Sequence, residues 1–331
     1  GYSIPLDELD FEKRAWVPNS GWPIGRADLE PWYAPANKLV GAGAYEYSKS
    51  QMADEQWPYS EIELKFFDDI YFRRAHDPVG YSLPYKESFE NAPNVRVFLN
   101  ATVTLLHADS ELRTTEYAVV KELGGNTARI KARYFVIAAG ALESARLLLA
   151  SNDVQAAGLG NQTDQVGRYF MMHPHLSIGR VVDMDEQLRG YFSERAYGDA
   201  DVIAAVRPTL TAQQEQRILN ASVRLESIPD NESGYYALTE LDTEVSKKYY
   251  AWRLGEDYEV RDDFSDLVWM ALKDLDSVLS GLWARSQDPS FEGNVLRTQA
   301  NLFVQSEQAP NPASRVTLGE ARDELGELRM V

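Results

Sequence analysis

Apolar positions alternate in some segments of the chain and recur at helical spacing in others, which predicts a mixed α/β (α+β) fold. Alternation predicts strands at residues 94–99, 102–107, 117–122, 127–131, 176–182, 221–228 and 296–306. Helical spacing predicts helices at residues 29–40, 142–149 and 264–282, the last as one long helix. Pro35 is expected to break or kink the first of these helices. Thr211 with Gln214 is typical of a capping box that opens a further short helix.

The most informative segment runs from Tyr134 to Ser151. Residues 134–138 are almost entirely apolar, as expected of a strand that is buried on both faces. Small residues follow at 138–141 and let a ligand approach the backbone, and the N-terminus of the next helix favours an anion such as a pyrophosphate. On its own, the same pattern is also typical of an ordinary strand–helix junction.

Composition narrows the function. The 331 residues provide for one large or two medium domains, and 44% of them are hydrophobic. The formal net charge of −18 repels phosphate backbones, so no nucleic-acid partner is expected. The absence of cysteine excludes disulfides and thiolate metal sites, and fits the cytoplasm or the periplasm. No apolar run is long enough to predict a membrane segment.

Five collinear segments resemble the glucose-methanol-choline (GMC) family of oxidoreductases. Residues 132–151 resemble its second conserved flavin-binding motif, and residues 94–104 its adenine-contacting strand. Residues 165–174 resemble the crossover into the substrate domain. Residues 307–318 resemble a late segment of that domain in bacterial members, and residues 5–24 the stretch after the flavin attachment loop.

This resemblance implies part of a doubly wound FAD-binding domain and a mainly antiparallel substrate domain with helices. It implies a flavoenzyme that oxidises the CH–OH group of a sugar, polyol or other alcohol by hydride transfer to flavin N5. The electron acceptor would be oxygen, a quinone or a cytochrome. We expect residues 1–89 to form a flavin-side loop with connecting helices, residues 90–167 to belong to the FAD domain, and residues 168–331 to form an incomplete substrate domain.

The resemblance also implies functional positions. The expected cofactor-binding residues are Gly1, Thr102, Val103, Ala138, Ala139, Gly140 and Ser144. Asn301, Phe303, Gln305 and Glu307 lie on one face of a predicted strand, and Gln305 and Glu307 are expected to bind hydroxyl groups of the substrate. The alternative for this face is a solvent-facing sheet edge.

The chain departs from the family pattern in two respects. It has no strand–GxGxxG–helix unit, which also argues against a pyridine-nucleotide enzyme. The family's catalytic histidine is expected beyond Val331, so no catalytic residue is assigned here. We therefore expect a truncated and inactive fragment that is poorly stable alone and binds FAD weakly or not at all. The alternative is a non-catalytic remnant that serves as an interaction or carbohydrate-binding module.

The histidines are His76, His107, His173 and His175. His173 and His175 share a strand face at a spacing that suits a metal, but no third ligand accompanies them, so no metal is predicted. His173 is expected to pack near the domain crossover. His76 and His107 are interpreted as surface or loop residues, and Arg315 as a structural arginine.

Overall fold

A computed structural model describes residues 2–52, 64–75, 82–229, 231–254, 257–287 and 295–331. Gly1 and His76, both named above, lie outside the described residues. The chain divides into two compact units. Unit 1 consists of Gly1–Glu12, Trp22–Pro78 and His173–Glu307, and unit 2 of Lys13–Gly21, Val79–Met172 and Gln308–Val331.

The described strands are antiparallel wherever they pair. In chain order they are β1 Phe67–Ala75, β2 Thr102–Ala108, β3 Thr115–Lys121, β4 Thr127–Ile130, β5 His175–Val181, β6 Arg195–Tyr197, β7 Ala200–Pro208, β8 Ala221–Pro229, β9 Val295–Ser306, β10 Leu318–Arg322 and β11 Leu328–Met330. The helices are α1 Glu8–Phe11, α2 Arg26–Val40, α3 Ser82–Asn91, α4 Gly140–Ala150, α5 Glu186–Phe192, α6 Leu210–Gln216, α7 Gly234–Leu254, α8 Phe264–Lys273 and α9 Leu275–Gln287.

Unit 1 is built on a sheet with the strand order β1-β7-β8-β9-β5, and β6 pairs with β7. Because side chains alternate along a strand, each strand contributes to both faces of this sheet. On one face, apolar side chains such as Val202, Leu225 and Ala300 form the main core with Tyr191 and Phe192 of α5. The helix therefore covers this face.

Among the described residues, the N-terminal segment meets this sheet at β1. Ser3 pairs with Arg73 through backbone hydrogen bonds along the edge of β1, and on the face opposite the main core the rings of Tyr2 and Phe72 meet edge to face at 6.4 Å. At the β8-β9-β5 end the same face carries polar side chains, which makes it the first candidate for a binding surface.

Three details of the helices correct the sequence predictions. Helix α2 is not broken at Pro35 but continues to Val40. Tyr33 stacks on Tyr45, and the Asn37 side chain donates to the carbonyl of Ala44, and both contacts hold the helix against the following loop. The cap of α6 is Thr209 rather than Thr211, because the Thr209 hydroxyl accepts from the Ala212 amide.

The predicted long helix at 264–282 is two helices, α8 and α9, which meet at Asp274. The Asp274 carboxylate accepts from the backbone amides of Ser277 (3.2 Å) and Gly234 (2.8 Å). An aspartate that caps a helix start in this way competes with continuation of the preceding helix.

Unit 2 contains the meander β2-β3-β4, helix α4 and the hairpin β10-β11. Helix α4 packs against β2, where Leu147 and Leu106 share a small core with Ala118. The Ser151 hydroxyl accepts from the Leu106 amide at 2.9 Å and ties the end of α4 to the middle of β2. These elements hold the small-residue turn at 138–141.

Two predicted strands are wrong. Residues 94–99 and 134–138 form no strand, and the side chain of Val136 is 88% exposed where burial on both faces was predicted. Phe135 and Ile137 do pack against the small core of unit 2. A strand requires a neighbouring strand to which it is hydrogen-bonded. Neither segment has such a neighbour among the residues that the structure describes.

Candidate functional site

The open face of unit 1 lies on the three adjacent strands β8, β9 and β5. Strand β9 pairs with β8 on one side and β5 on the other, so the alternative that it forms a sheet edge is wrong. Its residues Asn301, Phe303 and Gln305 share one face, as the sequence predicted, because Ala300 and Leu302 between them point to the main core. The facing positions on β8 and β5 are Ser222, Arg224, Glu226, His175, Ser177 and Arg180.

Phe303 provides an apolar centre for this face. The Arg224 guanidinium lies 4.4 Å from the Phe303 ring centroid, within the range of a cation–π contact. The His175 ring meets the same phenyl ring edge to face at 5.3 Å. An aromatic ring bordered by hydrogen-bonding groups suits a ligand with both C–H and O–H surface, such as a sugar.

The polar groups around Phe303 are connected by hydrogen bonds. Arg224 Nη1 donates to Gln305 Oε1 at 3.1 Å, and Arg224 Nη2 donates to Glu226 Oε1 at 2.7 Å. Gln305 Nε2 lies 2.8 Å from His175 Nε2, and His173 Nδ1 lies 2.6 Å from the same His175 nitrogen. Gln305 was predicted from the sequence. Arg224 and Glu226 were missed, because only the register of β8 against β9 brings them to it.

Glu307 occupies a different environment from Gln305. It follows the end of β9, and its Oε2 accepts from the Asn220 amide at 3.2 Å. The Asn220 side chain donates to Asp10 Oδ1 at 3.2 Å and to Asp7 Oδ2 at 3.3 Å. Arg207 forms an ion pair with Asp7. Glu307 thus belongs to a carboxylate cluster that joins the N-terminal segment to the sheet, and its role in substrate binding stays a prediction.

Asp10 provides a test of this carboxylate cluster. Burial raises its pKa above the ordinary value, and the nearby charges of Asp7 and Glu307 act in the same direction. The folded state therefore holds the proton more tightly than the unfolded state. Stability contributed by Asp10 is present at pH below its ordinary pKa and is lost as pH rises through the raised value. We expect Asp10→Asn to raise the melting temperature at pH 7 and to leave it unchanged at pH 3, measured by calorimetry.

Asp28 offers a matched control for that experiment. Asp10 accepts from the amide of Asp7 at 2.9 Å, and Asp28 accepts from the amide of Gly25 at 2.8 Å, in the same three-residue arrangement at a helix start. The Asp28 contact is exposed. Asp28→Asn should therefore leave the melting temperature unchanged or lower it at pH 7, since a charged group favours an exposed helix N-terminus. An equal rise in both variants would contradict the burial argument.

The second candidate surface is the N-terminus of α4 in unit 2. Ala138, Ala139 and Gly140 are exposed, and the N-cap residue Ala139 makes no side-chain capping bond. Gly140 has φ +79°, and a Cβ placed on it would meet no atom within 4 Å. Backbone amides at the start of a helix, next to open space and small side chains, suit a phosphate group.

The other predicted cofactor residues that the structure describes belong to β2 and α4 of unit 2. Thr102 and Val103 are exposed at the start of β2, the strand against which α4 packs, and Ser144 is half-buried in α4. The donor set of exposed amides and small side chains thus fits the pyrophosphate of FAD. The binding roles of these residues stay predictions.

The structure also describes His107 and Arg315, the other two residues interpreted from the sequence. His107 lies within β2 rather than in a loop, and its Nδ1 lies 2.5 Å from Asp153 Oδ2 while its ring stacks on Tyr117. Arg315 Nη2 pairs with Asp164 Oδ1 at 3.3 Å, which agrees with a structural role.

In the part of the chain that the structure describes, no group of three or more His, Asp or Glu side chains is placed to hold a metal ion. Among the described helices, none combines the length and apolar composition that crossing a bilayer requires.

No protein-family model matches the chain, but comparison with known proteins identifies relatives. The chain is 34% identical over 190 residues to the fructose dehydrogenase large subunit of Gluconobacter japonicus, covering 46% of this chain and 35% of that protein. It is 34% identical over 222 residues to paromamine 6'-oxidase of Streptomyces fradiae, covering 55% and 41%. It is 30% identical over 184 residues to 5-(hydroxymethyl)furfural oxidase of Methylovorus sp. (strain MP688), covering 50% and 31%.

These relatives share one general chemistry. All three are named as dehydrogenases or oxidases, so the chain is related to oxidoreductases. The matched region spans between 31% and 41% of the length of these proteins. Their activities therefore belong to polypeptides much longer than the matched part.

Proposed function

We propose that this chain is part of an FAD-dependent oxidoreductase of the GMC family that oxidises a CH–OH group of a sugar, polyol or other alcohol. The observation that carries the proposal is its similarity to three oxidoreductases, two of which are named for sugar-type substrates and one for a hydroxymethyl compound. The five collinear sequence segments support the same family.

The two candidate surfaces have complementary roles in this proposal. The exposed amides at Ala139 and Gly140 would hold the pyrophosphate of FAD, which, when bound, supplies the hydride acceptor. The open face around Phe303 and Gln305 would bind the alcohol, with the phenyl ring against its C–H groups and the polar side chains at its hydroxyls. The catalytic base is assigned to no residue of this chain, so its place beyond Val331 stays part of the proposal.

The experiment is an anaerobic titration of the flavin-loaded protein, expressed from its complete reading frame, with a ketose, an aminoglycoside and an aromatic alcohol. We expect one of these classes to bleach the flavin absorbance. Sugar binding by a protein that takes up no flavin would overturn the proposal and favour the carbohydrate-binding module instead.

The isolated 331-residue chain provides a second measurement. We expect it to bind FAD weakly or not at all, since Tyr134 and Val136 of the apolar segment 134–138 are exposed and the segment pairs with no described strand. Stoichiometric FAD on the purified chain would contradict this expectation.

A further inference from the structure

A chain of hydrogen bonds crosses the open face of unit 1 and ends at His173. It begins at Glu226 and Arg224 on β8, passes through Gln305 on β9, and reaches His175 at the start of β5. His173 contacts His175 both by hydrogen bond and by ring packing, with ring centroids 4.6 Å apart. Three neighbouring strands thus position one exposed imidazole.

The direction of each hydrogen bond is fixed by chemistry, starting from Arg224. A guanidinium only donates, so the Gln305 atom beside Arg224 must be the amide oxygen, and the amide nitrogen must face His175. An amide nitrogen also only donates. His175 Nε2 therefore accepts, and the proton of the His175 ring lies on Nδ1.

The same reasoning fixes His173. Its Nδ1 lies 2.6 Å from the unprotonated His175 Nε2, where a second lone pair would be repelled, so His173 Nδ1 carries the proton, and the N–H groups of Gln305 and His173 share the single lone pair of His175 Nε2. The lone pair of a neutral His173 ring then lies on Nε2. This nitrogen receives no hydrogen bond from any residue that the structure describes, and the His173 side chain is exposed.

We infer that His173 Nε2 accepts a hydrogen bond from a substrate hydroxyl, and that the Glu226–Arg224–Gln305–His175 chain is the positioning device that keeps this lone pair available. The identity of the hydroxyl as that of an oxidisable alcohol rests on the proposed function. The arrangement of the two imidazoles does not depend on the proposed function. The proton positions of the histidines and the oxidation of an alcohol are therefore tested separately.

The substitution Gln305→Glu tests the direction of the chain. A glutamate carboxylate accepts from both neighbours, so the proton of His175 moves to Nε2, and His175 no longer accepts from His173. His173 Nδ1 then faces the same N–H, which it shares as an acceptor with the introduced carboxylate, and the proton of His173 moves to Nε2, where it blocks the hydroxyl site. Gln299→Glu is the matched control, because it places the same charge on the same strand and face, where Gln299 lies 3.5 Å from Arg180.

Nitrogen NMR of protein labelled at histidine reads the two proton positions directly. The sequence has four histidines, so His173 and His175 can be assigned by comparison with His173→Gln and His175→Gln. We expect protonated Nδ1 on both rings in the parent and in Gln299→Glu, and protonated Nε2 on both in Gln305→Glu. A His173 proton on Nε2 in the parent, or no change in Gln305→Glu, would overturn the inference.

Sorbitol serves as the hydroxyl probe in the same spectra. Sorbitol should shift the His173 Nε2 resonance in the parent protein and in Gln299→Glu. It should bind Gln305→Glu at least about tenfold more weakly, as expected for the loss of one hydrogen bond. A His173 resonance that does not respond to sorbitol would overturn the inference. Failure of every alcohol to reduce the flavin, with the NMR results as expected, would reject the proposed function alone.

Discussion

Gly167→Ala is expected to destabilise the protein by about 3 kcal/mol, the largest effect on stability that we predict. Gly167 has φ +83°, a conformation that costs a residue with a Cβ about 1–2 kcal/mol. A Cβ on Gly167 would lie 2.3 Å from the carbonyl oxygen of Val316. Overlap with a packed neighbour adds about 1–3 kcal/mol. The Val316 amide donates to the Gly167 carbonyl at 2.8 Å, so the two segments cannot separate without losing that bond.

Gly160→Ala is the matched control for this prediction. Gly160 has φ +74°, and a Cβ there would meet no atom within 4 Å. Gly160→Ala should therefore lower the free energy of unfolding only by the cost of a positive φ for alanine, about 1 kcal/mol. Urea unfolding of both variants, with limited proteolysis as a second measure, separates the two contributions. Equal losses would show that the close approach of Gly167 to Val316 is absent.

Local patterns predicted six of the described strands. The predicted strands at 102–107, 117–122, 127–131, 176–182, 221–228 and 296–306 are confirmed as β2, β3, β4, β5, β8 and β9. Strand β7 was missed, because Val202, Ile203, Ala204 and Ala205 in succession are buried and leave no alternation to recognise. β1 was missed as well, although it pairs with β7 along its whole length.

The failure at 134–138 has a different cause. The sequence Tyr-Phe-Val-Ile-Ala is typical of a strand buried on both faces, and the side chains of Phe135 and Ile137 do pack on one side. Tyr134 and Val136 face the other side and are exposed. A strand that is buried on both faces needs other elements to cover its faces and to pair with its edges. A local sequence pattern indicates that such neighbours are needed, but it does not show whether the described residues include them.

The candidate site was predictable only in part for a related reason. Alternation along β9 is local, so it placed Phe303 and Gln305 on one face correctly. The pairing of β9 with β8 and β5 is not local, and it alone brings Arg224 and His175 to Gln305. The spacing of His173 and His175 suggested a shared face, but the directional chain that fixes their protons requires the register of three strands.

The largest functional effect that we predict concerns Gly140→Ala, which should weaken FAD binding about tenfold or more. In the proposed function the pyrophosphate approaches the backbone at the start of α4, and a phosphate-binding turn uses glycine because a side chain would keep the ligand away. The exposed Gly140 faces open space that a Cβ would partly fill. A tenfold loss corresponds to about 1.4 kcal/mol, and a flavin fluorescence titration measures it.

Gly125→Ala separates this effect from backbone strain. Gly125 has φ +91°, a Cβ on it would also meet no atom within 4 Å, and it lies in the turn between β3 and β4 of the same unit. Both alanine variants bear a similar conformational cost, so their melting temperatures without FAD should agree. Only Gly140→Ala should lose FAD affinity, since only Gly140 lies at the start of α4. Parent-like FAD affinity in both variants would remove the helix terminus from the cofactor site, while an equal loss of affinity in both would attribute the effect to destabilisation of unit 2.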